Sequence, residues 1–291
     1  MIRRVEGTTV VITGATSGIG RETALEFVKA GARVVVAGRR EERLRELVAL
    51  IEANGGEALG VRTDVAEEAQ VEALMAAAIG RFGRIDTLVN NAGVGIAAKF
   101  AEQSIEDFRR VMEINFWGAV HACKAAVPQM KTQAGGGVII NVSSIFGKRG
   151  MPFETAYCAS KFALAGFSES LRVELMSEGI DVSTIFPGAV KTEIFEASAN
   201  QTSINLGDMS ANFPKFPAER MAKIIVQDAR FPQPEIVMAL DAMAIDLVNK
   251  FAPGLMDLAL GWAVPFIEGA RRGASGSGEQ PRNKSGNLWK K

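Results

Sequence analysis

Two hydrophobic periods take turns along this chain. Short β-branched runs, of which Thr8 to Thr13 (TTVVIT) is the first, have the length of a buried strand. After each come apolar positions three or four residues apart, as at Ala24, Leu25, Phe27 and Val28. This alternation predicts strands over 8–13, 33–37, 57–62, 86–90, 136–143, 181–186 and 235–240. It predicts helices near 18–30, 41–54, 67–81, 104–131, 157–178 and 217–229, the fourth opened by a capping box at Ser104 and Asp107. Strands alternating with helices, without a break or an internal repeat, predict one α/β domain over residues 1–240. Its parallel sheet is doubly wound, with ligands at the carboxyl ends of the strands.

Beyond that domain the pattern changes twice. Residues 241–270 are strongly apolar, with Ile245, Leu247, Val248, Phe251, Leu255, Leu258, Trp262 and Phe266, but Asp246, Lys250, Pro253, Asp257 and Pro265 interrupt them. The run never reaches the ~20 apolar residues of a spanning helix. It is expected to be a lid, a subunit interface or a helix touching a membrane surface through 253–267. Residues 271–291 turn to Gly, Ser, Lys and Arg and are expected to form a disordered basic tail. A long segment from Glu193 to Pro217 reads as a lid.

Composition narrows the class of partner. The chain has 33 basic and 33 acidic residues among 291, so it carries no field that would gather nucleic acid. Two cysteines, Cys123 and Cys158, and the single histidine, His121, suggest neither a disulfide framework nor a metal site. A cytoplasmic location is expected, with membrane association left open.

Two segments carry candidate chemistry. Tyr157 and Lys161 lie four residues apart in a predicted helix, so the ammonium can lie beside the phenol. A nearby cation favours the phenolate and would lower a phenol pKa that is ordinarily about 10, making the tyrosine a usable acid or base. Between the first strand and first helix runs Gly14-Ala-Thr-Ser-Gly18-Ile-Gly20, a glycine turn that lets backbone approach a pyrophosphate at a helix N-terminus.

With these motifs the chain resembles the short-chain dehydrogenase/reductase family over about residues 7 to 240, and the resemblance implies a Rossmann fold and a nicotinamide cofactor. It implies a catalytic set of Asn115, Ser144, Tyr157 and Lys161. Ser144 is chosen over Ser143 by its thirteen-residue spacing to Tyr157. The phosphate loop would be Thr13-Gly14 with Thr16, Ser17, Gly18, Ile19 and Gly20. Asp64 and Val65 would meet the adenine, and Asn91, Ala92 and Gly93 the cofactor's inner edge. Pro187, Gly188, Val190 and Thr192 would hold the nicotinamide, and Lys161 its ribose.

Cofactor choice is read at the end of the second strand. Gly38 stands where NAD-preferring members place a carboxylate, and Arg39 follows, suited to a 2′-phosphate; the alternative is that Arg39 and Arg40 simply begin a charged helix with Glu41, Glu42 and Arg43. The expectation is therefore NADP, although Ser17 stands where some NADP-using members carry a base. The expected enzyme interconverts a hydrophobic alcohol and its carbonyl as a homodimer or homotetramer. A 3-oxoacyl reductase of lipid synthesis and a non-catalytic NADPH-binding regulator are the alternatives.

Overall fold

The computed structural model describes residues 2–190, 194 and 216–269. Seven parallel strands form one sheet: β1 (Thr9–Ile12), β2 (Arg33–Gly38), β3 (Ala58–Arg62), β4 (Thr87–Asn90), β5 (Gly137–Val142), β6 (Ile180–Pro187) and β7 (Glu235–Met238). Their order is β3-β2-β1-β4-β5-β6-β7, so the direction of winding reverses between β1 and β4. That reversal opens a crevice at the carboxyl ends of the strands, where such folds bind ligands.

Helices cover both faces: α1 (Gly18–Lys29), α2 (Glu41–Ala53), α3 (Glu68–Phe82), α4 (Ile105–Met112), α5 (Gly118–Thr132), α6 (Thr155–Leu175) and α7 (Ala218–Arg230). A strand covered on both sides needs apolar residues at every position, which is why TTVVIT shows no polar alternation. Val10, Ile12, Val34 and Val36 pack on one side with Phe27 of α1 and Met221 and Ile225 of α7. Val11, Val35, Leu88 and Ile139 pack on the other with Leu74 of α3 and Met130 of α5. Each such side chain contributes about 1.5–3 kcal/mol by leaving water.

Two predicted elements differ. The single helix expected over 104–131 is α4 and α5 joined by a π-helical turn, Glu113–Trp117. Ser104 caps α4, accepting from the Asp107 amide at 3.0 Å. The last strand stops at Met238, because Ala239 takes φ 87° and turns the chain into a helix. The apolar stretch then forms α8 (Leu240–Phe251) and α9 (Pro253–Gly269), parted at Pro253. Among the described residues no helix is long and apolar enough to cross a membrane. The expected lid, apart from its ends, and the expected tail lie outside the described residues.

A buried polar relay fixes α6 against the sheet. Asn90 Nδ2 donates to Asn141 Oδ1 at 2.8 Å, Asn141 Nδ2 to Ser168 Oγ at 2.8 Å, and Ser168 Oγ to the Leu164 carbonyl at 2.6 Å. Apolar contact alone has no direction along a helix; these bonds do.

Candidate active site

The crevice is built from the ends of β1 and β4. Gly14 has φ 65° and Gly18 φ 53°, the left-handed region that favours glycine. At Gly20 the need is room: a Cβ there would sit 2.4 Å from both Asn91 Nδ2 and the Gly14 carbonyl. Asn91 uses that room, its Nδ2 donating to the carbonyls of Thr13 and Gly14 at 3.1 Å each. Thr13 Oγ1 in return accepts from the amides of Asn91 and Ala92 at 3.1 and 3.2 Å. Loop and β4 are thereby locked into one unit. Ser17 sits at the N-cap of α1, yet its side chain caps no backbone amide. The helix N-terminus keeps its donors for an anion, which fits the pyrophosphate of a dinucleotide.

The two arginines after β2 take different directions. Arg39 lies toward Asp64, Nη1 to Oδ2 at 3.9 Å, and Arg110 pairs with the same oxygen at 3.1 Å. Asp64 Oδ1 accepts from the Ala66 amide at 3.2 Å, which shapes the turn after β3. Arg40 is the N-cap of α2, the helix start read from the sequence, and its side chain reaches back over the loop. It donates from Nη2 to Thr16 Oγ1 at 2.8 Å and to Ser17 Oγ at 2.7 Å. Gly38 lies under Thr16, whose Cγ2 would be 2.7 Å from a Cβ at that position. Thr16, Ser17, Gly18, Arg21, Arg43, Glu46 and Leu47 line a cavity of about 290 Å³ beside this arginine. Val65 is buried, and its carbonyl lies 3.3 Å from His121 Nδ1.

β5 and α6 bring Ser144, Tyr157 and Lys161 together. Tyr157 and Lys161 are both almost fully buried on one face of α6, with the ammonium 5.6 Å from the phenol ring centre. Ser144 opens the turn after β5; its Oγ accepts from the Phe146 amide at 3.2 Å and hydrogen-bonds the Tyr157 phenol. Ser143 instead donates to the Lys161 carbonyl at 3.0 Å, a structural bond that leaves Ser144 as the partner of the tyrosine. Lys161 Nζ donates to the Val142 carbonyl at 2.9 Å.

Burial reverses one electrostatic expectation. The Tyr157 phenol is held above its ordinary value, chiefly by desolvation, with the Ser144 bond opposing. Desolvation likewise pushes the Lys161 ammonium down to about 8. In the folded chain the cost of burying either charge outweighs the help the two charges would give each other.

Asn115 occupies the middle of the π-helical turn, whose wider ring exposes side chains at angles a regular helix does not. Its Oδ1 accepts from the Val94 amide at 2.8 Å, and its Nδ2 donates to the Val94 carbonyl at 2.9 Å and to Ser160 Oγ at 3.0 Å. This clamp holds the segment after β4 against α6. Gly93 passes so close that a Cβ there would be 3.4 Å from Asn115 Oδ1 and 3.6 Å from Lys161 Nζ. At the far wall, Pro187 ends β6, Gly188 donates to the Met238 carbonyl at 3.0 Å, and Val190 bridges Phe216. Thr192 lies outside the described residues.

One residue escaped sequence reasoning. Glu154, one helical turn before Tyr157, is fully buried, and neither carboxylate oxygen has a hydrogen-bond partner among the described residues. Burial holds its carboxyl well above the usual range, so the neutral acid is favoured. Nothing in P-F-E-T-A-Y signals this, because the charge pattern there resembles any exposed helix start. The sign of the pH effect follows from linkage. Below the ordinary glutamate pKa both states hold the proton. Above it the unfolded chain releases the proton first, and folding stability falls as pH rises. Glu154→Gln should therefore gain stability relative to wild type at pH 8 and gain less at pH 5. Thermal melts at the two values check this, and an equal difference at both would refute it.

No group of three or more metal-ligating side chains occurs among the described residues. The profile of the short chain dehydrogenase family matches residues 8–203. The uncharacterized oxidoreductase YxnA of Bacillus subtilis is 36% identical over 260 residues, 88% of this chain and 72% of that one. The 3beta-hydroxysteroid dehydrogenase of Mediterraneibacter gnavus is 37% identical over 203 residues, 69% of this chain and 73% of that one. A short chain dehydrogenase/reductase from Burkholderia phymatum, solved in complex with NAD, superposes with a TM-score of 0.81 at 29% identity, covering 88% of this chain and 97% of that one.

Proposed function

The chain belongs to the short chain dehydrogenase family, and on that premise we propose that it is an NADPH-linked oxidoreductase converting a hydrophobic ketone or aldehyde to its alcohol. The observation that carries the reading is the Tyr157 phenol, hydrogen-bonded to Ser144 and set beside Lys161, next to a glycine loop that fits a dinucleotide. A protein that only bound nucleotide would gain nothing from a buried phenol and ammonium, whose desolvation is costly.

The loop from Gly14 to Gly20 would hold the pyrophosphate. Asp64 and Val65 would lie by the adenine, Asn91 to Gly93 and Lys161 by the ribose, and Pro187, Gly188, Val190 and Thr192 by the nicotinamide. When bound, the cofactor supplies the hydride. Tyr157 gives its proton to the substrate oxygen as that oxygen becomes an alkoxide, and Ser144 donates a hydrogen bond to the same oxygen. Because the phenol is held above its ordinary value, it stays protonated across the neutral range, the form that reduction needs. Lys161 provides positive charge below the tyrosine. Asn115 holds the segment bearing Gly93 against Lys161 and so keeps the wall of the cleft in place.

NADP over NAD is supported by Gly38, which carries no carboxylate, and by Arg39 and Arg40 at the lip of the crevice. A hydrophobic substrate is in keeping with the steroid dehydrogenase among the relatives. Incubation with NADPH or NADH and a panel of cyclic ketones, aldehydes and steroids, followed by loss of reduced-nicotinamide absorbance, tests the reading. No turnover with any of them would sink it. A carrier-linked 3-oxoacyl probe in the same assay separates the fatty-acyl alternative.

The charge on Lys161 gives a pH test. With its ammonium at about 8, carbonyl reduction should hold level through neutrality and decline as pH passes that value. A kcat/KM profile flat to pH 10 would show that Lys161 keeps its proton, contrary to this prediction.

A further inference from the structure

α9 packs on α8 and leaves its outer side bare. Met243, Leu247 and Phe251 stand at four-residue spacing on α8, and Leu255, Leu258 and Trp262 follow at three and four on α9. All six are exposed, Phe251 by 83% and Trp262 by 77%. Single exposed apolar residues are ordinary; two successive helices with such stripes are not.

Among the described side chains, the charges on the two helices are paired. Asp246 pairs with Lys250 at 2.8 Å, and Asp257 pairs with Arg149. Arg149 also donates to Asn249 Oδ1 at 3.1 Å, and Asn249 Nδ2 to the Lys148 carbonyl at 3.0 Å. The helical pair is thus tied by polar bonds to the segment that follows Ser144, and its apolar side faces away. The sequence directly after α9 carries Arg271, Arg272, Arg282, Lys284, Lys290 and Lys291 against Glu279, a net of 6 − 1 = +5. A second copy of the chain would cover the apolar stripes but would leave this basic run unexplained. An anionic lipid surface matches both features, the acyl boundary taking the stripes and the headgroups the basic run.

We propose that α8 and α9 dock this protein on an anionic membrane surface through their apolar side, with the segment that follows Ser144 tied to the opposite side of the helical pair. Neither helix crosses the bilayer. The docking itself does not depend on the catalytic reading.

The test is flotation of the full chain with vesicles of phosphatidylcholine alone and of phosphatidylcholine with a third phosphatidylglycerol. Binding to the anionic vesicles should exceed binding to the neutral ones by about tenfold or more and fall in high salt, as expected for a polybasic segment. Phe251→Ser with Trp262→Ser should abolish flotation while a soluble ketone is still reduced at the wild-type rate. A chain ending at Ala270 should keep weak binding and lose the anionic preference. Full-length protein that ignores both vesicles, or binds both equally, overturns the proposal. So does a soluble oligomer that the double substitution splits into monomers, since a second copy would then be the cover.

Discussion

Tyr157→Phe should lower turnover by at least a hundredfold and leave both the fold and NADPH affinity close to wild type. The substitution removes one oxygen. It takes away the transferable proton and the bond to Ser144, and a positioned acid is typically worth about 10²–10⁴ in rate. The ring stays, edge-on to Phe146 with centres 6.2 Å apart, so packing around the start of α6 is kept. The phenol is neutral at neutral pH, so the change in stability should be limited to the lost Ser144 bond, about 0.5–1.5 kcal/mol. The signature is a loss in kcat with little change in cofactor binding, measured by NADPH fluorescence titration alongside steady-state rates. Retention of more than a tenth of wild-type kcat would mean that another group supplies the proton.

The second large effect concerns cofactor choice. Arg39→Asp should shift the ratio of kcat/KM for NADPH over NADH by about 10- to 100-fold toward NADH, the worth of a charge-assisted bond lost to a phosphate. The new carboxylate would stand near Asp64, whose Oδ2 lies 3.9 Å from the native Arg39 Nη1, and would repel a phosphate brought there. Arg40→Gln should act in the same direction more weakly. It frees Thr16 and Ser17, which Arg40 now holds, but introduces no repulsion. If neither change moves the ratio, the arginines serve the loop and the preference for NADP has no basis in them.

The sheet was legible in the sequence because a parallel strand buried on both faces has to be written as an unbroken β-branched run. The glycine loop was legible because few residue types fit a left-handed turn under a neighbouring strand, and Tyr157 and Lys161 because helical spacing alone brings them together. What sequence spacing does not carry is direction and burial. Arg39 and Arg40 are adjacent letters, and only the geometry after β2 sends Arg40 over the loop and Arg39 toward Asp64. The lowering of the Tyr157 pKa expected from Lys161 fails for the same reason, since proximity was readable and desolvation was not. The π-helical turn at Asn115 leaves the apolar period of 104–131 nearly intact, so one helix was expected where two are joined. Glu154 looked like surface and is core.

The relay from Asn90 through Asn141 to Ser168 meets α6 eleven residues beyond Tyr157, about three turns away from the cleft. An apolar helix lying on an apolar sheet could settle a fraction of a turn forward or back at little cost, and the phenol and ammonium would travel with it. Part of the alignment of the chemistry is therefore stored at a distance, in three neutral side chains, alongside the bond from Ser143 to the Lys161 carbonyl at the cleft. Genetic screens that sort variants by their distance from the cleft would class changes at these positions as damage to the scaffold, although the helix they hold is the one that carries the tyrosine.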